Sequence, residues 1–268
     1  MQTYSMQTYS TSHVAAKIGV HPNTIRFYEE TGLLPEIPRA KNGYRVFDDR
    51  HLAQLRLLRT AFRAEIISDR LRQEAYEIVK VAATDDARAA YRRAERYKEH
   101  LKEEQEKAEE AIRITQSILA DTTRHDDRPE FCGRRQAAEA LGITVDILRD
   151  WERNGLLPTL RTSIGRRHYG AKEMNRLRII HTLRNAHYSM MSILRMLNRL
   201  DGGNTNIRET IDTPGEEEDI ICAADRYISA LEMAENDASE MLNMLGKRLG
   251  QAEVMRRVSG DQKNIAGR

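Results

Sequence analysis

Two stretches of the chain are near copies of each other and decide the fold. Residues 24–35 read TIRFYEETGLLP, and residues 147–158 read ILRDWERNGLLP. The two stretches align without a gap at an offset of 123 residues. The match continues upstream, where VAAKIGV begins at residue 14 and AAEALGI at residue 137, and downstream after one residue is dropped. A repeat of this length and order indicates a duplicated structural unit.

Each copy predicts two short helices joined by a turn. Val14 and Ile18 lie four residues apart and form one apolar helical face, and Gly19 ends that helix because glycine accepts a positive φ. The next helix begins with Pro22 in the first copy, since proline suits the first helical position. In the second copy Thr144 is the predicted N-cap. Two short helices around a glycine-containing turn are typical of a helix-turn-helix.

A segment rich in proline and glycine follows the second helix in each copy. It holds Pro35, Pro38 and Gly43 in the first copy, and Pro158 and Gly165 in the second. The residues that flank these turn formers favour β structure. This pattern predicts a small two-stranded wing in each copy.

A long helix is predicted after each copy. Residues 85–120 are rich in Ala, Glu, Lys and Arg and contain no Gly or Pro. Their apolar seam is interrupted by Lys98 and Gln105, whereas the seam of the second long helix is stronger. Both helices resemble coiled-coil partners, and their similar length allows them to pair with each other.

These predictions define a mainly α fold with two winged helix-turn-helix domains, short β wings and two long coiled-coil helices. The predicted boundaries are 9–82 for the first winged helix-turn-helix, 83–122 for the first long helix, 123–130 for a linker, 131–200 for the second winged helix-turn-helix, 201–215 for a loop, 216–258 for the second long helix and 259–268 for a flexible tail.

The charge of the chain is segregated along its length. The formal net charge of +2 is the sum of four blocks, which carry +3 over 13–80, −3 over 81–130, +8 over 131–200 and −6 over 201–268. The two basic blocks coincide with the two copies of the repeat. Two separate basic regions suit two contacts on one polyanion such as DNA.

Composition favours a cytoplasmic protein without a membrane span. No run of 18 apolar residues occurs. The first residues, MQTYSMQTYS, lack the basic patch and apolar stretch of a secretory signal. The two cysteines, Cys132 and Cys222, are too few and too far apart for a disulfide framework, which fits a reducing compartment.

The candidate DNA contacts follow from the geometry of a helix in the major groove. That groove admits one α-helix, whose N-terminal side chains reach the base edges, whereas other polar groups position the protein on phosphates. The base-facing candidates are His21, Asn23, Thr24 and Arg26 in the first copy and Thr144, Asp146 and Arg149 in the second. The wing candidates are Arg39, Tyr44 and Arg45, with Arg161, Arg166 and Arg167. Tyr28 and Trp151 are expected to donate to a phosphate while their rings pack on the module.

These residues resemble the MerR family of transcription regulators. The resemblance rests on TIRFYEETGLLP and on the segment from Arg39 to Phe47, which is similar to the family's wing. In the second copy, residues 187–197 are similar to the family's fourth helix. The second copy departs from the family at Asp150, where the family has an aromatic residue, and at Arg166, where it has the wing tyrosine. The resemblance covers about half of the chain.

The resemblance implies double-stranded promoter DNA and RNA polymerase as partners, and control of transcription through distortion of the promoter spacer. In the family a long helix pairs antiparallel with its twin in a dimer. This chain contains two such helices, so we expect an intramolecular pseudo-dimer. A homodimer with four modules is the alternative.

Other function classes find little support in the sequence. No nucleophile–base set or phosphate-binding loop occurs, so we expect no enzyme, no catalytic residue and no cofactor. Cys222 stands alone and the eight histidines form no ligand cluster, so we expect no metal site. Two alternatives stay open: an architectural or excisionase-like DNA-binding accessory protein, and a small-molecule-binding or sequestering protein.

Overall fold

The computed structural model describes residues 7–63, 69–122, 132–157, 168–204, 206–213 and 226–265. These residues form helices and one two-stranded sheet, which confirms the predicted mainly α fold. The elements are α1 (Thr11–Ile18), α2 (Pro22–Glu30), α3 (Asp49–Ala61), α4 (Asp69–Ala83), α5 (Ala87–Thr122), β1 (Cys132–Gly133), α6 (Arg134–Ala140), α7 (Val145–Arg153), β2 (His168–Tyr169), α8 (Ala171–Asn185), α9 (Met190–Asp201), α10 (Ile207–Asp212) and α11 (Tyr227–Ile265). No described helix is both long and apolar enough to cross a bilayer.

The first compact unit contains the first copy of the repeat. It comprises residues 1–102 and 232–268, as far as these are described. Val14, Ile25 and Phe47 are fully buried and hold α1, α2 and the end of the wing against α3. The backbone of Phe47 also pairs antiparallel with that of Tyr9, which ties the residues before α1 to those before α3.

The second compact unit, residues 103–231, repeats this arrangement. β1 pairs antiparallel with β2, with Cys132 opposite Tyr169, which are the positions equivalent to Tyr9 and Phe47. Leu148 lies at the position of Ile25 and is fully buried as well. The duplicated sequence therefore folds into two similar modules.

The helix ends are built as the sequence predicts. Gly19 adopts a φ of 74° after α1, and Gly32 and Gly155 adopt φ values of 72° and 77° after α2 and α7. A left-handed conformation of this kind costs other residues about 1–2 kcal/mol, which accounts for glycine at the ends of these helices. The Thr144 hydroxyl accepts a hydrogen bond from the backbone N–H of Ile147, so Thr144 is the N-cap of α7.

In the first unit, the first module packs against the second long helix. The Arg63 guanidinium lies 3.4 Å from the Asp237 carboxylate and 2.5 Å from that of Glu240, both on α11. Arg248 on α11 donates a 2.8 Å hydrogen bond to the buried side chain of Gln54 on α3. The N-terminal part of α5 lies close to α11 in the same unit, since Tyr91 lies 3.7 Å from the position that a Cβ on Gly246 would occupy.

In the second unit, the second module packs against the first long helix. The Tyr188 hydroxyl donates a 3.3 Å hydrogen bond to the backbone carbonyl of Ala108 on α5. Arg208 on α10 forms an ion pair with Glu109, which also lies on α5. Each module therefore contacts the long helix that follows the other module in sequence.

Two segments differ from the sequence-based expectation. The segment 201–215, expected as a loop, contains α10, because Asn206 caps its first turn and Ile207 and Ile211 are buried on one face. The second long helix continues to Ile265 rather than ending near 258, and no proline interrupts this stretch. The expected start of that helix, 216–225, and the linker 123–130 lie outside the described residues.

Candidate nucleic-acid interface

The second helix of the first module presents a polar face to solvent. His21 is its N-cap, and the His21 Nδ1 atom accepts a 3.2 Å hydrogen bond from the backbone N–H of Asn23. Ile25 points into the core, whereas the side chains of Asn23 and Arg26 are exposed and Thr24 is half-buried. Arg26 Nη1 donates a 2.7 Å hydrogen bond to Asn23 Oδ1. The N-terminal half of α2 thus exposes amide and guanidinium groups, as expected for base contacts.

The first wing is a narrow two-stranded turn. Arg39 and Arg45 form an antiparallel bridge, and the Val46 N–H donates to the Pro38 carbonyl at 2.9 Å. Gly43 makes the turn with a φ of 80°. Tyr44, at the tip of this wing, is 74% exposed, which leaves its ring and hydroxyl available to a ligand.

Glu29 connects this wing to α2. Its carboxylate accepts a 2.5 Å hydrogen bond from Arg45 Nε and lies 3.9 Å from Arg39 Nη2. The side chain of Arg45 is only 22% exposed, whereas that of Arg39 is 54% exposed. The structure therefore pairs Arg45 with Glu29 and leaves Arg39 as the more accessible cation of the two, while their contacts with DNA stay predictions.

The second helix of the second module has the same plan and different chemistry. Leu148 is buried, and Asp146 and Arg149 are exposed. Arg149 Nη1 lies 2.5 Å from Asp146 Oδ1, at the position where Arg26 contacts Asn23 in the first module. Farther along the helix, Arg153 pairs with Asp150. The exposed arginines of α7 are thus both matched with carboxylates.

The two aromatic candidates differ in burial. Tyr28 is half-buried against the core, and burial raises the pKa of its hydroxyl while the Arg59 guanidinium lowers it. Trp151, at the equivalent position, is only 5% exposed and belongs to the packed interior. The ring of Trp151 therefore packs on the module as expected, and its contact with a phosphate stays a prediction. The second-wing candidates Arg161, Arg166 and Arg167 lie outside the described residues.

Two exposed apolar residues on these helices escaped the sequence reasoning. Phe27 on α2 is 57% exposed, and Ile147 on α7 is 41% exposed. An apolar side chain in the major groove can contact the methyl group of thymine. Helical spacing gives a signal at Phe27, because it lies two residues from the buried Ile25 and therefore on another face of α2.

A cavity with a net positive lining was also missed. It has a volume of about 250 Å³, and Lys17, Arg56 and Arg59 line it from α1 and α3, together with Glu240 from α11. These residues lie outside the two helices on which the sequence reasoning concentrated. The three cations outnumber this one carboxylate, and the net positive charge attracts an anion such as phosphate.

Within the described part of the chain, no three His, Cys, Asp or Glu side chains are grouped in a way that would hold a metal ion. Cys132 is half-buried, and its Sγ lies 3.5 Å from the Met174 sulfur. Cys222 lies in a segment that the structure does not describe.

In the comparison with known proteins, one protein-family model matches both modules. The model of the MerR HTH family regulatory proteins matches residues 9–66 and 135–200. The chain is 50% identical over 50 residues to the HTH-type transcriptional regulator CueR of Salmonella typhi, which covers 19% of this chain and 36% of that protein. It is 33% identical over 75 residues to a probable heavy metal-dependent transcriptional regulator of Haemophilus influenzae, which covers 28% of this chain and 59% of that protein.

An uncharacterized HTH-type transcriptional regulator of Synechocystis is 40% identical over 62 residues, or 22% of this chain and 45% of that protein. The chain therefore spans less than two thirds of the length of each of these curated relatives. No solved structure matches the chain significantly.

Proposed function

Since the chain carries two helix-turn-helix modules of the MerR type, we propose that it regulates transcription by binding promoter DNA with both. The observation that carries this proposal is the pair of exposed helices α2 and α7. Each is held by a buried apolar residue on one side and exposes an arginine with a hydrogen-bonding partner on the other. Polar side chains on the exposed face of a helix that fits the major groove are the chemistry of base recognition.

We assign different tasks to the residues around α2. Asn23 and Arg26 contact base edges, because an amide suits adenine and a guanidinium suits guanine. Arg39 and Tyr44 on the wing contact the sugar–phosphate backbone. The cavity lined by Lys17, Arg56, Arg59 and Glu240 has a net positive charge, and Arg59 also acts on the Tyr28 hydroxyl, which supports a phosphate contact there.

Distortion of the promoter spacer and engagement of RNA polymerase complete the proposed mechanism. Both follow from the similarity to transcriptional regulators of this family. Bending or untwisting a DNA site of this size costs a few kcal/mol, roughly 1–6 in elastic estimates, which the contacts of two modules offset.

Footprinting on the DNA around the protein's own gene tests the binding step. We expect two protected regions about 34 Å, one helical turn, apart on one face of the duplex. Failure to protect any site in this DNA or in a random-sequence selection would contradict the proposal.

Runoff transcription with RNA polymerase on the footprinted fragment then separates regulation from an architectural role. A regulator changes the yield of the transcript when it occupies the site. An architectural or excisionase-like protein protects the same DNA and leaves the yield unchanged. As a control, the same reaction on a fragment with the site scrambled should not respond to the protein.

A further inference from the structure

The equivalent positions Asn23 and Asp146 distinguish the two base-facing helices. Both lie one turn before an arginine, and both accept a hydrogen bond from its Nη1 atom, at 2.7 Å for Arg26 and 2.5 Å for Arg149. The geometry is therefore shared. The acceptor is a neutral amide in the first module and a carboxylate in the second.

This difference changes what the position can recognise. An asparagine amide both donates and accepts, which matches the N6 and N7 atoms of adenine. An ionised aspartate only accepts, which matches the N4 amino group of cytosine and is repelled by the acceptors O6 and N7 of guanine and O4 of thymine. Adenine also offers a donor at N6, but its acceptor N7 lies beside that donor and repels a carboxylate. The Asp146 side chain is 83% exposed, so its second oxygen is accessible to a base.

The same difference changes the charge that approaches the DNA. The residues at the first module's positions 23, 24, 26 and 27, which are exposed or half-buried, carry one net positive charge, from Arg26. The equivalent residues of α7 carry one net negative charge, because both Asp146 and Asp150 are acidic. A carboxylate beside phosphates is unfavourable unless it binds a donor on a base. Asp146 therefore penalises sequences that lack a donor at its position.

The ion pair also leaves Arg149 competent to read a base. Asp146 engages Nη1, and the Nε and Nη2 atoms of the guanidinium stay available for a bidentate contact with guanine O6 and N7. Asp146 thus holds Arg149 in one orientation while presenting its own carboxylate.

We propose that Asp146 is the specificity-determining residue of the second module and selects cytosine in its half-site, next to the guanine that Arg149 reads. This inference rests on the proposed function, since it requires α7 to enter the major groove. It predicts two half-sites of unequal sequence, of which the second requires cytosine where the first does not.

Competition binding on the footprinted duplex tests the proposal, with each base pair of both half-sites replaced in turn. For the wild-type protein, we expect replacement of one C·G pair in the second half-site to weaken binding about tenfold. In Asp146→Asn this loss should fall below about twofold and a preference for adenine should take its place. The reciprocal variant Asn23→Asp should create a cytosine preference in the first half-site.

Asp121→Asn is the matched control, because it removes one negative charge from an exposed position at the end of α5. It should leave every base preference unchanged. Base preferences in Asp146→Asn that equal those of the wild type, or that equal those of Asp121→Asn, would overturn the role of Asp146 while leaving DNA binding intact. Absence of any base preference in either half-site of the wild type would instead contradict the proposed function itself.

Discussion

At the residue scale, Arg26 is the side chain on which specific binding by the first module should depend most. Its guanidinium is exposed, is oriented by Asn23 and lies at the N-terminal part of α2. We expect Arg26→Ala to cost about 1–3 kcal/mol of binding to the specific site and much less on random DNA. Fluorescence anisotropy with the two duplexes at one salt concentration measures both losses.

Arg113→Ala serves as the control for Arg26→Ala, because Arg113 is an exposed arginine of α5 paired only with Glu110 among the contacts seen. It should leave the ratio of specific to random affinity unchanged. Equal losses on specific and random DNA for Arg26→Ala would assign this arginine to phosphate binding and contradict base reading.

Single-residue packing is the level at which sequence reasoning was least complete. The similarity of Tyr28 and Trp151 in the aligned copies suggested one phosphate-binding role for both, and it did not predict that Trp151 is more deeply buried than Tyr28. How far each ring is buried depends on packing against residues outside its own helix, which the local sequence pattern does not specify. The ion pair between Asp146 and Arg149 was equally absent from the sequence reasoning, although the spacing of three residues on a helix allows it.

At the scale of elements, Gln54 joins several parts of the first unit. Its Nε2 donates to the carbonyls of Leu33 at 3.0 Å and Val79 at 2.8 Å, and its Oε1 accepts from Arg248 at 2.8 Å. Gln54, Leu33 and Val79 are all buried, so the two carbonyls cannot turn to water if the amide is lost. Gln54 therefore connects α3 with α4, α11 and the segment after α2.

Replacing this amide should destabilise the protein measurably. We expect Gln54→Leu to lower the free energy of unfolding by at least about 2 kcal/mol, because each buried polar group left without a partner costs about 1–3 kcal/mol. Urea unfolding followed by circular dichroism measures the change.

Gln73→Leu makes the same chemical change on the exposed face of α4, where the amide donates only to Glu77 among its hydrogen bonds seen here. It should shift the free energy of unfolding by less than about 0.5 kcal/mol. Similar effects of the two substitutions would mean that the buried network around Gln54 contributes little.

The elements themselves could largely be predicted from local patterns. Gly19 and Thr144 mark helix ends by conformational preference and hydrogen bonding within a few residues, and the structure places the helix ends there. The helix α10 was missed, because only six residues form it and its stability comes from burial of Ile207 and Ile211. Contacts of Arg63 and Gln54 with α11 could not be predicted, since they join residues almost 200 positions apart.

At the scale of the whole molecule, the prediction concerns the number of chains that bind one DNA site. Each module contacts the long helix that follows the other module, so one chain supplies both modules and a packing partner for each. Light scattering at micromolar concentration should give a mass of one chain, 30.9 kDa, and one chain per footprinted site. Arg63 supports this arrangement within the first unit by pairing with Asp237 and Glu240.

A measured mass of two chains, both free and on DNA, would contradict this stoichiometry and favour the homodimer with four modules. Dilution into the nanomolar range provides a further check. A protein that binds as a single chain should keep the same apparent dissociation constant for its site on dilution. A dimer dissociates instead, and its occupancy of the site falls more steeply than the protein concentration.

The difference between Asn23 and Asp146 has a consequence for the direction of the bound protein. A symmetric homodimer is unchanged by a half-turn, so it cannot distinguish the two ends of a palindromic site. A chain with unlike modules loses that equivalence, and turning it around would place the Asp146 carboxylate in the half-site that suits an amide. The protein would therefore sit on its site in one orientation only and mark one side of it as upstream. Reversing the site relative to the start of transcription should then change the transcript yield, although the binding affinity stays the same.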